Sequence, residues 1–180
     1  MIADFPKAGV GKGERYCCAF SMCGCGVHCA PVAFLLLLVA ADQLSKWWVQ
    51  TSLALYEVRE VIPGFFNLVY YTNSGAAFGL LAGESTAWRQ IFFVGVALLA
   101  LVLLLLLYRQ LRGQGRLARY SLVLIAAGAV GNLIDRVRFG EVTDFLDFYW
   151  GSYHWPAFNV ADCAITVGVA IFLLASWRTT

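Results

Sequence analysis

The stretches Gly128-Ala-Val-Gly-Asn-Leu-Ile-Asp-Arg136 and Phe158-Asn-Val-Ala-Asp162 decide how this chain is read. Each carries an Asn three residues before an Asp, so on a helix the two polar groups share a face. Both lie in segments apolar enough for a bilayer. A carboxylate there is costly, and its first reading is a functional site.

The surrounding composition agrees with a membrane setting. Of 180 residues, 61% are hydrophobic and 13% charged, where a soluble domain carries about 25% charge. The net charge of +2 comes with no basic stripe, so nothing points to nucleic acid. Four apolar runs qualify as spans: residues 30–49, 91–108, 120–134 and 157–177. A span needs about 20 residues. The first run reaches that length by continuing through Asp42 and Lys46 or by starting earlier in the Cys-rich stretch, and the third only by including Asp135 or Arg119. Polar residues are therefore expected at helix ends.

Orientation follows from arginine. Arg109, Arg112, Arg116 and Arg119 crowd the connection between the second and third spans, with no acid among them. The positive-inside rule puts this loop and both termini in the cytoplasm. Trp47, Trp48, Tyr149, Trp150 and Trp155 then fall near the outer ends, as an aromatic belt would. On this topology Asp42, Asp135 and Asp162 all meet the outer leaflet. Asp144 and Asp147 are expected in the outer loop, solvated by water.

These carboxylates differ in setting. Asp42 has Lys46 at i+4 in the favourable order and reads first as a structural pair. Asp135 has Arg136 and Arg138 beside it. Asp162 has no basic residue within a helical turn and needs a partner or a shared proton. Two carboxyls a few Å apart cannot both ionise easily. The ionised one draws a proton from water, and the protonated one donates to a peptide carbonyl. Asp135 and Asp162 are thus the expected catalytic pair of an aspartyl hydrolase. Asn132 and Asn159 would support them, or simply bridge helices.

Other chemistries are less well supplied. With His28 and His154 as the only histidines, a Ser–His or Cys–His pair in the membrane has few candidates. Cys17, Cys18, Cys23, Cys25 and Cys29 crowd the N-terminal segment, but their spacing fits no standard zinc pattern. No metal or cofactor is expected. Residues 1–29 read as a poorly ordered extension of a peptidase unit at residues 30–180. A cleaved signal peptide ending at Val39-Ala40-Ala41 is the competing view. It would leave an odd number of helices. A small proton-coupled transporter would also use intramembrane Asp, but no inverted repeat is seen and the acids gather at one face. A membrane scaffold would not need two Asn-x-x-Asp units.

Several further blocks flank the two Asp units: Asp42-Gln-Leu-Ser-Lys46, Val61-Ile-Pro-Gly-Phe-Phe-Asn-Leu68, Tyr71-Thr-Asn-Ser-Gly-Ala-Ala-Phe78 and Val142-Thr-Asp-Phe-Leu-Asp147. Together and in this order, from about residue 31 onward, they resemble the lipoprotein signal peptidase (signal peptidase II) family. The resemblance implies four transmembrane helices with a small extracytoplasmic β-cradle in a bacterial inner membrane. It implies removal of the signal peptide from prolipoproteins, just before a Cys carrying diacylglycerol. It also implies a dyad at Asp135 and Asp162 supported by Asn132 and Asn159 and adjoined by Arg136, with Asp42 and Asn73 lining the substrate site. The residues of 61–71 suit short strands, with Pro63-Gly64 as a turn. Gly75-Ala76-Ala77 offers little bulk against a substrate backbone. Membrane lipid is the other expected contact, and four short helices could stand as a monomer.

Overall fold

Helix length explains why charged residues enter the spans. A computed structural model describes residues 26–75, 87–111 and 115–177. Its helices are α1 (Gly26–Ser52), α2 (Ala87–Gln110), α3 (Arg116–Phe139) and α4 (Val160–Trp177). All four are long and apolar enough to cross a membrane. α1 runs unbroken through Asp42 and Lys46, and it begins at Gly26, ahead of the expected boundary at residue 30. Cys17, Cys18, Cys23 and Cys25 lie outside the described residues. α3 extends past both expected ends and takes in Arg119, Asp135, Arg136 and Arg138. α4 starts at Val160 rather than 157, which leaves Asn159 outside the helix and Asp162 in its first turn.

α3 is the centre of the bundle and packs on the other three helices, most extensively on α4. Small residues allow this closeness. A Cβ on Gly128 would run into the Ala161 carbonyl and Ile165. A Cβ on Gly131 would meet the Asp42 carboxylate. Bare backbone at these two positions brings α1 and α4 against the polar end of α3.

Between the helices run β1 (Val58–Ile62), β2 (Phe66–Asn73), β3 (Val142–Trp150) and the two-residue β4 (Tyr153–His154). They form one antiparallel sheet in the order β1-β2-β3-β4. Pro63 and Gly64 make the expected turn. Gly64 has φ +77°, and Phe65 N–H reaches the Ile62 carbonyl at 3.1 Å, the pattern of a type II turn. Tyr149 is pinned at this turn. Its hydroxyl accepts from Gly64 N–H and donates to Glu60, so it serves the sheet rather than an aromatic belt. Trp47, Trp48, Trp150 and Trp155 remain exposed, as a belt requires.

Two connections set the site. α3 ends at Gly140 in the left-handed conformation, φ +79°, with its N–H on the Arg136 carbonyl. The chain turns back there, and β3 passes over the end of α3. Phe158 then pairs with the free edge of β3: its carbonyl accepts from Phe145 and Leu146 N–H, and its own N–H returns to Leu146. That pairing holds Asn159 and the start of α4 beside Thr143 and Asp144. Val49 and Leu53 of α1 and Phe145 of β3 form the apolar wedge beneath, with Leu68, Leu146 and Val160 around it.

Candidate active site

Two polar layers lie where the helices meet the sheet. The deeper one is centred on Lys46, which is 1% exposed. Its ammonium reaches Asp42 at 2.9 Å, Asp135 at 3.0 Å and the Asn132 side-chain oxygen at 3.0 Å. Those three acceptors satisfy its three N–H donors. Asp135 also accepts from Gln43 at 2.9 Å and from Thr143 N–H at 3.3 Å. The second oxygen of Asp42 accepts from Ala161 N–H at 2.9 Å. Asp42 thus caps a free amide in the first turn of α4. A buried charge without partners would be prohibitive; here each has several.

The shallower layer holds Asp144 and Asp162, joined through Asn159. The Asn159 amide donates to Asp144 at 2.7 Å, and its backbone N–H donates to Asp162 at 3.2 Å. The Asn159 oxygen accepts in turn from Asp162 N–H at 3.0 Å. Asn159 and Asp162 therefore form a reciprocal cap on α4, with Asn159 at the N-cap and Asp162 at the third helical position. Asn132 completes the surroundings of Asp162 with a 2.8 Å donation. Because Asn132 also accepts from Lys46, it links the two layers. Asn73 donates to Asp144 at 3.2 Å, while its oxygen accepts from Gly75 N–H. Arg136 donates to the Gly75 carbonyl at 3.3 Å, and its guanidinium lies over the Phe93 ring.

Electrostatics separates the two candidate partners of Asp162. Burial, and next the charge of Asp162, push the Asp144 carboxyl up to about 7. A carboxyl that holds its proton near neutrality beside a second carboxyl is one half of an acid–base pair. Asp135 is 1% exposed and held by Lys46, Gln43 and Thr143. It has no open face toward a substrate. Asp162 is half-buried and so remains within reach of water.

The geometry revises several expectations drawn from the sequence. Asp135 belongs to an internal ion cluster rather than facing Asp162 as its partner. Asp42, expected to line the substrate site, is 1% exposed and belongs to the same cluster. Asp144 and Asp147 are not solvated loop residues; they are 5% and 4% exposed on β3. Three residues apart on a strand, they project to opposite faces. Asp147 is held by Asn67 at 2.9 Å and His154 at 3.0 Å, away from Asp144. Asn132, Asn159, Asn73 and Arg136 do gather around the upper carboxyls. Ala76 and Ala77 lie outside the described residues. Asp144, rather than Asp135, is the carboxyl that shares Asn159 with Asp162, and the order of apolar and polar residues in Val-Thr-Asp-Phe-Leu does not mark it for burial.

The comparisons with known proteins bear on what such a site does. The family described as Signal peptidase (SPase) II matches residues 34–178, nearly all of the described bundle and sheet. The chain belongs to the signal peptidase II family. It is a multi-pass membrane peptidase, which sets aside the transporter and scaffold readings. A lipoprotein signal peptidase of Syntrophotalea carbinolica is 55% identical over 142 residues, covering 79% of this chain and 87% of the relative. That of Desulforapulum autotrophicum is 53% identical over 137 residues, covering 76% and 85%. A solved bacterial membrane enzyme, determined by the in meso method, superposes with a TM-score of 0.73 at 32% identity, covering 84% of this chain and 89% of that one. The fold is thus shared with a solved bacterial membrane enzyme of similar size.

Proposed function

We propose that this signal peptidase II family member removes the signal peptide from prolipoproteins, cutting just before a diacylglyceryl-Cys, with Asp144 and Asp162 as the catalytic pair. The observation that carries the pair is Asn159, one residue that hydrogen-bonds both carboxyls at once. Asp162, at the positive end of α4, is the member placed to take a proton from water. Asp144 holds the proton. Water bound between them gives a proton to Asp162 as its oxygen attacks the scissile carbonyl carbon. Asp144 donates to the carbonyl oxygen as charge develops there. Collapse of the tetrahedral intermediate breaks the C–N bond. The nitrogen leaves with the proton from Asp162, and Asp144 recovers its own. The products are a signal peptide carboxylate and a free amino group on the lipidated Cys.

Asn132, Asn159 and Asn73 are positioning residues in this scheme. The Lys46 cluster, Asp42 and Asp135 included, is the rigid floor that orients Asn132. Arg136, tied to Gly75, borders the side where the substrate backbone would enter. The purified protein in detergent, given a lipid-modified prolipoprotein, is expected to yield the shortened product. A substrate lacking the lipid should remain uncut. If purified, folded protein leaves the lipid-modified substrate intact, the proposal fails.

The pH dependence has a defined sign. An unfolded Asp loses its proton at about pH 4, whereas native Asp144 keeps it up to about 7. The stability contributed by this proton is full below about pH 4 and is lost as pH rises through about 7. The general acid disappears over the same upper limb. Cleavage is therefore expected to decline on the alkaline side with an apparent pKa of about 7, a property of the pair. A flat profile from about pH 6 to about pH 9 would remove Asp144 from the acid role.

The proposed setting is a bacterial inner membrane, with both termini cytoplasmic and the site near the outer leaflet. The arginine-rich connection between α2 and α3 supports this, since it lies at the opposite end of the helices from the sheet. A reporter active only outside the cytoplasm should be active after Ser152 and silent after Gly113. The reverse pattern would turn the site to the inner leaflet.

A further inference from the structure

At the bundle end away from the sheet, α1, α2 and α3 line a partly open cavity of about 230 Å³. Val32 and Leu35 of α1, Leu104 and Tyr108 of α2, and Leu122 and Val123 of α3 line it. The lining is hydrocarbon except for the tip of Tyr108. Asp144 on β3 and Asp162 at the start of α4 lie at the other end of the bundle, where it meets the sheet, so this cavity has no part in the site above.

Arg119 stands one turn before Leu122 and Val123 on the same face of α3. Its Nε is buried and meets no hydrogen-bond partner among the described residues. A buried guanidinium N–H without an acceptor calls for one. Arg109, in the last turn of α2, and Arg116, at the start of α3, add charge nearby, and no acid occurs in residues 109–119. Along α2 and α3 the apolar slot is therefore followed, at the end of the bundle, by arginines without acids.

We propose that this cavity and Arg119 bind an anionic glycerophospholipid, with an acyl chain in the cavity and the phosphate on the Arg119 guanidinium. A free phosphate would leave the hydrocarbon slot unfilled. A zwitterionic lipid would fill the slot but bring its own cation against the arginines. Charge complementarity selects the anionic headgroup.

The test uses the full chain in detergent, with retained lipid measured by native mass spectrometry. The probes are phosphatidylglycerol and phosphatidylcholine of identical acyl chains. Wild type is expected to retain phosphatidylglycerol roughly fivefold or more over phosphatidylcholine. Arg119→Gln should bring the two lipids level, and Arg119→Lys should keep most of the preference. Val32→Trp, on the open side of the cavity, should lower retention of both lipids. Prolipoprotein cleavage by each variant reports that it is folded, and it should stay near wild type. Equal retention of the two lipids by wild type would mean ordinary solvating lipid and overturn the proposal. A preference that survives Arg119→Gln, or retention unaffected by Val32→Trp, would overturn it as well.

Discussion

Asp144→Asn and Asp162→Asn are each expected to abolish prolipoprotein cleavage while the protein still folds and inserts. Asn nearly matches Asp in shape, so Asn159 keeps an acceptor at either position. What is lost is the ability to hold or take a proton. Acid–base help alone is worth roughly 10²–10⁴ in rate. The double variant should be scarcely worse than either single one, because the two groups act as a unit. A further readout separates Asp144 from a residue that only packs. Ionisation of a buried carboxyl opposes folding above about pH 7, so Asp144→Asn should gain thermal stability over wild type at alkaline pH and lose that advantage in acid. Near-normal turnover by either single variant would end the proposed pair.

Lys46→Met is expected to be the most destabilising single change in the polar floor. It leaves Asp42 and Asp135 buried side by side with no cation between them. Removing one partner from a buried ion pair typically costs about 3–5 kcal/mol, since the remaining charge is stranded. Asp135→Asn should be milder, because Lys46 keeps Asp42 and the Asn132 oxygen. Thermal unfolding in detergent measures both effects. The fraction of Asp135→Asn protein that is folded should still cleave. If that variant instead folds with wild-type stability and is inactive, the catalytic role returns to Asp135 and the pairing with Asp144 is wrong.

The contrast between Asp135 and Asp144 shows where reading residues in order runs out. Asn132-Leu-Ile-Asp135 and Asn159-Val-Ala-Asp162 look alike on paper, and both invite the same role. In three dimensions they are unlike. The first lies within α3, with Asp135 turned to Lys46 and Gln43 of α1. The second is a helix cap, with Asn159 outside α4 and Asp162 in its first turn. Spacing along a chain tells which side chains share a face. It does not tell which neighbouring helix that face meets. Along the chain Lys46 reads as the i+4 partner of Asp42, yet its ammonium binds both Asp42 and Asp135 and holds Asn132 as well.

Sequence alone determined the four spans, the gathering of the acids at one end, the turn at Pro63-Gly64 and the family, because these rest on hydropathy, chain order and local motif. Asp162, with no base within a helical turn, was also legible as exceptional. Only the tertiary structure decided which carboxyl stands beside it. The left-handed turn at Gly140 sends β3 back over the end of α3, and Phe158 docks on the edge of β3. Those two long-range events bury Asp144 and bring Asn159 to it, and no pattern local to Val142–Asp147 encodes either one. A carboxyl becomes an acid near neutrality through its neighbours and its burial, and both are properties of the fold.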